Sequence, residues 1–268
     1  MTGRHSHRQV TAGRERLLAG IAGLVVLAAI GEAVPRLGLV PSRYLPPTSA
    51  VARALGGEAT SARFWDAVGQ TMLAWAVGLA IAFVAAVVLG TVIGASPVLR
   101  AYTNSTIEFL RPIPSVALVP LAILVFATDL RSALLLIVYA SFWQVLIQVL
   151  YGVADTDPIA IDAARSYGLP WLARLRYVVL PTALPFVLTG LRLGATVALI
   201  LAVTAGLVIG TPGLGAEIVA AQNGGAVAAM YALIVVTGLL GVAVNVVLRL
   251  AERRLLHWHP SIRVEVAG

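Results

Sequence analysis

Six apolar runs, covering about residues 17–34, 68–94, 106–127, 133–153, 180–209 and 227–248, dominate this chain. A helix of about 20 residues crosses the hydrocarbon core of a bilayer, which is ~30 Å thick. No water inside that core can satisfy a free backbone N–H or C=O, so each run is forced to close its own hydrogen bonds as a helix. The fold class expected is all-α: a polytopic membrane helical bundle of six transmembrane helices.

Composition agrees and removes other classes. Of 268 residues, 59% are hydrophobic and only 12% charged, too few charges for a water-soluble domain. The net charge of +7 comes from arginines scattered between the apolar runs. They form no stripe interleaved with aromatics, so the partner they imply is the lipid bilayer and not nucleic acid. The absence of cysteine excludes disulfides and thiolate metal sites. His5, His7, His257 and His259 lie near the two ends with no further ligand at helical spacing, so no metal site is expected.

In chain order, residues 1–16 form a polar, arginine-bearing N-terminal tail and 17–250 the membrane domain, with 251–268 as a C-terminal tail. The first run ends in Glu32 and Pro35, without the short core and small-residue cleavage site of a signal peptide, and is expected to be an uncleaved span. SAVARALGG places Val51, Ala54 and Leu55 on one helical face, the pattern of a short helix lying at the membrane surface. In the second span Gly69, Gly78, Gly90 and Gly94 offer close-packing faces. SPVLRAYTNST is expected to be a turn.

The third span opens IEFLRPIPSVALVP, with Glu108 and Arg111 three apart on one helix face and able to pair. Pro112, Pro114 and Pro120 bend or break it. Broken backbone at membrane depth needs protein or a wet cavity around it, which leaves a pathway lining and a packing kink both open. In the fourth span Gln144 and Gln148 share a face and can contact either a polar solute or a neighbouring helix. Arg192, in the fifth span, lies about 16 Å along the helix from Pro181 and needs a partner or a wet cavity; Glu108 is a candidate partner. GTPGLGAEIVAAQNGGA, before the sixth span, lacks the Lys-Ser or Lys-Thr of a phosphate loop and is expected to form a hairpin at the membrane surface with a helical piece at 214–221.

With both termini on one side, that side collects thirteen arginines against five on the other, and Arg192 lies within a span. The positive-inside rule then places both termini in the cytoplasm. Residues 155–179 fall on the cytoplasmic side as the one long polar segment with internal order. Thr156 or Asp157 can cap a helix with Pro158 at its first position, Gly168 can end it in a left-handed turn, and Pro170 can start a second helix. Local chemistry admits both a docking surface and a plain connector.

The spacing within this segment is specific. Asp162-Ala163-Ala164, three residues, Gly168, nine residues, Val178, one residue and Leu180-Pro181 resembles the EAA loop of bacterial ATP-binding-cassette importer permeases. SRYLPPTSAVARAL, RPIPSVALVPLAILVF, VVLPTALPFVLTGLRLG and RLAERRLLHWHP are similar to the nitrate, sulfonate and taurine branch of these permeases, so the resemblance spans about residues 40–260.

The resemblance implies a non-catalytic subunit of the bacterial cytoplasmic membrane that binds no cofactor itself. A second permease subunit, of the same kind, would complete the path. Two cytoplasmic ATPase subunits would bind ATP and Mg, and an extracytoplasmic binding protein would deliver solute. Asp162, Ala163, Ala164, Arg165, Gly168 and Pro181 would couple to the ATPase, while Glu108, Arg111, Gln144 and Arg192 would lie along the path. The solute expected is a small organic or inorganic anion, with a vitamin-precursor-like compound also open. Asp162 stands where the family has glutamate, Pro170 comes one position early, and Gly206 occupies a place where the family often has an acid. A secondary transporter is the alternative, though no inverted repeat is visible; an enzyme would need a nucleophile and base within the spans, and these hold no His or Cys.

Overall fold

The structure is a computed structural model describing residues 4–256, with side chains from Leu18 onward. The histidines near both ends and Trp258 lie outside the described side chains. The chain is all-helical: α1 (Arg4–Arg36), α2 (Thr48–Glu58), α3 (Ala62–Gly94), α4 (Pro97–Leu110), α5 (Val119–Phe126), α6 (Leu130–Ala154), α7 (Pro158–Ser166), α8 (Trp171–Arg174), α9 (Leu180–Val208), α10 (Leu214–Asn223) and α11 (Val227–Leu255). Among the described residues five helices are long and apolar enough to cross a membrane. The pair 97–110 and 115–126, bent by 80° at its break, brings the number to six when it is counted as one broken span.

Two compact units divide the chain, one holding residues up to Phe64 and Ile218–Val236, the other Trp65–Glu217 and Thr237–Leu256. In the first, the Glu32 carboxylate accepts from the Ser49 N–H (2.8 Å) and hydroxyl (2.9 Å), tying α1 to the start of α2. Tyr231 donates its hydroxyl to the Tyr44 carbonyl at 3.0 Å.

The second unit is built on α6. Its β-branched side chains fill the space left by α3 glycines: a Cβ on Gly78, Gly90 or Gly94 would meet Ile137, Val149 or Val153 at 2.5–2.9 Å. Gly69, also expected to pack closely, faces open space. On another side of α6, Gly152 lies against Ala183 and Phe186, and Gly190 and Gly194 of α9 lie against Val145. Lipid tails give apolar helices no hydrophobic reason to associate, so close approach through small residues supplies the contact.

The third span is broken at its prolines, one of the two outcomes expected there, but its helix starts at Pro97 and not near residue 106. Ser96 accepts from the Leu99 N–H at 3.3 Å and Pro97 takes the first helical position, so SPVLRAYTNST is helix and not turn. α4 stops at Leu110, before the prolines. Its freed Leu110 carbonyl accepts from the Tyr139 hydroxyl at 2.7 Å, and a short 3₁₀ turn (Ser115–Leu118) leads into α5. At the far end, Ser132 donates to the Ala127 and Ala122 carbonyls at 2.6 and 3.2 Å. The break therefore survives because side chains of α6 supply what the ladder lost.

Packing of α6 on α9 makes a direct prediction. Gly152→Val should lower the thermal midpoint of the solubilised protein, a loss of about 1–3 kcal/mol for overpacking, while Gly69→Ala should leave it unchanged. Equal midpoints for Gly152→Val and the parent would refute the contact.

Candidate functional site

The loop at 155–179 is ordered by its own caps. Asp157 accepts from the Ile159 N–H at 2.8 Å with Pro158 at the first helical position. At the other end Gly168 takes φ +74, the Leu169 N–H reaches the Ala164 carbonyl and the Gly168 N–H the Arg165 carbonyl, which is a Schellman stop. Asp162 and Arg165 pair within the helix at 3.5 Å, both exposed. Ala164 is buried in its own chain, and Ala163 faces outward. Ile159, Tyr167 and Leu172 are 78%, 85% and 69% exposed, an apolar surface that sequence could not separate from core.

The second short helix is not independent. α8 runs through a π turn (Leu175–Val179) into α9, with the Leu180 N–H donating to the Leu175 carbonyl. Pro181 has no N–H to return to Tyr177, and the wider turn absorbs that gap. The loop is thus one free helix, α7, followed by the start of a long helix.

A cavity of about 660 Å³ lies between α4 and α6. Arg100, Asn104, Glu108 and Arg111 line it from α4 and its end, and Gln144 and Tyr151 from α6. Three of the four expected path residues therefore meet. Their pairing differs from expectation: Glu108 accepts from Asn104 Nδ2 at 2.9 Å, and Arg111, just past the last turn, has no side-chain partner among the described residues. Arg100 donates to the Leu150 carbonyl at 3.0 Å. Arg100 and Asn104 were missed because the segment was read as a turn, although Ser96-Pro97 announces a helix that puts them on the face of Glu108.

Arg192 does not join them, which corrects its expected pairing with Glu108. It sits 3.3 Å from Glu252 of α11, both part-buried. Counting depth from Pro181 misled, because the helical span begins at Trp171. Counted from Val208, Arg192 lies about 24 Å down the helix, near the far edge of a core ~30 Å thick. That is the level of an arginine-rich helix end.

Gly206 is packed shut. A Cβ there would stand 2.8 Å from Gly215 Cα, and one on Gly215 would collide with the Val203 carbonyl oxygen. The Gly-rich return is thus seated on α9: Leu214 is fully buried, and its N–H donates to the buried Thr71 hydroxyl at 2.9 Å. Among the described residues no cluster of His, Asp or Glu could hold a metal.

Long apolar helices, a polar cavity beside a broken span and a structured polar loop define a class, a multi-spanning transport permease. The comparisons carry this further. Residues 82–257 match the family described as binding-protein-dependent transport system inner membrane component, and the chain belongs to that family. It is 34% identical over 248 residues to the taurine transport system permease protein TauC of Escherichia coli (strain K12), covering 91% of this chain and 90% of the relative. The putative aliphatic sulfonates transport permease protein SsuC of Bacillus subtilis (strain 168) is 28% identical, with coverage of 93% and 91%. The nitrate import permease protein NrtB of Leptolyngbya laminosa is 26% identical over 193 residues, 72% and 69% of the two chains. In fold, the chain is similar to the MetNI methionine ABC transporter in inward-facing form, with a TM-score of 0.60 at 19% identity over 72% of this chain and 95% of that one. The protein is therefore an inner-membrane permease of a binding-protein-dependent importer, the transmembrane and non-catalytic component, which implies ATPase and binding-protein partners.

The corrected ion pair is testable by a double-mutant cycle. Arg192→Gln and Glu252→Gln should couple by about 1 kcal/mol, whereas Arg192→Gln and Glu108→Gln should add. Additivity in the first cycle would remove the pair.

Proposed function

We propose that two copies of this chain form the path of an ATP-driven importer for a small anion of the sulfonate, taurine or nitrate type. An extracytoplasmic binding protein delivers the solute, and two cytoplasmic ATPase subunits hold ATP and Mg. The observation that carries the anion is the cavity: Arg100 and Arg111 outweigh Glu108, and Arg111 has no side-chain partner among the described residues to compete with a solute. The names of the relatives point the same way, to taurine, aliphatic sulfonates and nitrate. Both termini and residues 155–179 face the cytoplasm in this reading.

For the drive, α7 docks in a groove of the ATPase. Ala163 with the exposed Ile159 and Tyr167 gives an apolar contact, Asp162 and Arg165 flank it, and Ala164 lets α7 lie close to its own chain. Gly168 fixes the angle at which α7 leaves, and Pro181 marks where the long helix takes over. Closing of the ATPase dimer then moves α7, and with it the spans, as rigid bodies.

The test is ATPase stimulation and uptake in the complex reconstituted with binding proteins loaded with taurine, an alkanesulfonate or nitrate. At least one loaded protein should stimulate, and Arg111→Gln should cut uptake by about tenfold or more, the loss of one charge-assisted contact of 1.5–3 kcal/mol. Stimulation by none of the three would reject this substrate class. The coupling arm has its own control, since a Cβ at Gly168 meets nothing within 4 Å and only its φ is demanding. Gly168→Val should uncouple, while Gly168→Asn, which tolerates the left-handed region, should keep transport; full transport with Val would defeat the assignment.

A further inference from the structure

The cavity between α4 and α6 holds charges of both signs, and an anion answers only one of them. Glu108 lines it together with Arg111, yet among the described residues the two form no ion pair. Asn104 is the reason. One turn back on α4, its amide donates to Glu108 Oε1 at 2.9 Å and draws the carboxylate toward the start of the helix, while Arg111 comes after the last turn. Glu108 Oε2 is therefore left without a partner among the described residues, and so is the Gln144 amide on α6.

A carboxylate in that place works against a plain anion, because a negative solute seated on Arg111 is repelled by its neighbour. Residues three apart on a helix stand about 5–6 Å apart at Cβ, a separation that a linker of about two carbons between opposite charges can match. A solute with an anion at one end and an ammonium at the other meets both groups. It also leaves neither charge of the cavity unpaired when it displaces water, which a plain anion cannot do.

We propose that Glu108 is a specificity-determining residue that receives the ammonium of a zwitterionic solute, a short aminoalkanesulfonate whose sulfonate rests on Arg111. Asn104 is the positioning residue that holds the carboxylate apart from Arg111, so that the two charges await a solute instead of each other. The inference rests on the anion path proposed above and narrows it: nitrate and simple alkanesulfonates fill only the cationic half of the cavity.

Saturation-transfer NMR on the assembled permease–ATPase complex in nanodiscs, with no binding protein present, tests the site. Taurine is compared with hydroxyethanesulfonate, which keeps the sulfonate and the length but carries a hydroxyl in place of the ammonium. Taurine should bind about tenfold more tightly, the value of one charge-assisted contact. Glu108→Gln keeps an acceptor for Asn104 and should bring taurine down to the level of the hydroxyl analogue, without weakening the analogue. Arg111→Gln should weaken both. Equal binding of the two compounds by the unsubstituted complex, or a preference that survives Glu108→Gln, would overturn the ammonium site, and binding that still depends on Arg111 would then leave the anion path standing. Binding of neither compound would overturn both readings. Permease copies that come apart in Glu108→Gln, read by native mass spectrometry, would give the carboxylate to the second copy and overturn the proposal equally.

Discussion

The close approach of α6 and α9 is the contact on which the rest depends. Gly152, Gly190 and Gly194 let the two backbones meet with only Ala183, Phe186, Val145 and the Gln148 stem between them. These helices also flank residues 155–179, so α7 hangs from a closely packed pair. A close-packed interface transmits displacement instead of absorbing it. Whatever moves α7 therefore moves α6 and α9 together, and α6 carries α3 with it through Gly78, Gly90 and Gly94.

The broken third span follows from the same helix. Three prolines in nine residues (112–120) cannot continue α4, yet the freed backbone is not left bare. Tyr139 serves the Leu110 carbonyl, and Ser132 holds the Ala127 carbonyl where that alanine takes φ 55 and ψ −136. Such a conformation belongs to glycine and costs about 1–3 kcal/mol. It persists because the Ser132 bond and the Asp129 cap fix both sides of the turn. The cavity with Arg111 opens beside the end of α4 that this arrangement creates.

Sequence was informative where chemistry is local. The cap of α7 at Asp157, its stop at Gly168 and the existence of α2 and α10 all depend on residues within a few positions of one another, and their patterns survive any tertiary setting. The third span was misread because its apolar run starts later than its helix: Ser96-Pro97 begins a polar-faced first half that hydropathy cannot see. The partner of Arg192 was illegible for another reason. Glu252 lies 60 positions away in a tail whose charge pattern suggested only topology, and the π turn that lengthens α9 altered the depth on which the guess about Glu108 rested. Exposed Ile159, Tyr167 and Leu172 look like core residues until their neighbours are known.

Arg192 and Arg111 show how placement decides availability. Arg192 spends its charge on Glu252 at the C-terminal end of α11, where the pair fastens α9 to α11 and neither charge is left for a solute. Arg111 follows the last turn of α4, and Glu108, the acidic residue beside it in the cavity, already accepts from Asn104. Position 206 completes the contrast. With Gly215 Cα 2.8 Å from where a Cβ would sit, no carboxylate fits there, so α9 offers neither a free cation nor an anion at these two positions. In the proposed path the polar contacts that a translocating anion would need then fall to the α4 face, where Arg100 and Arg111 stand with Asn104 and Gln144 across a cavity large enough to admit it.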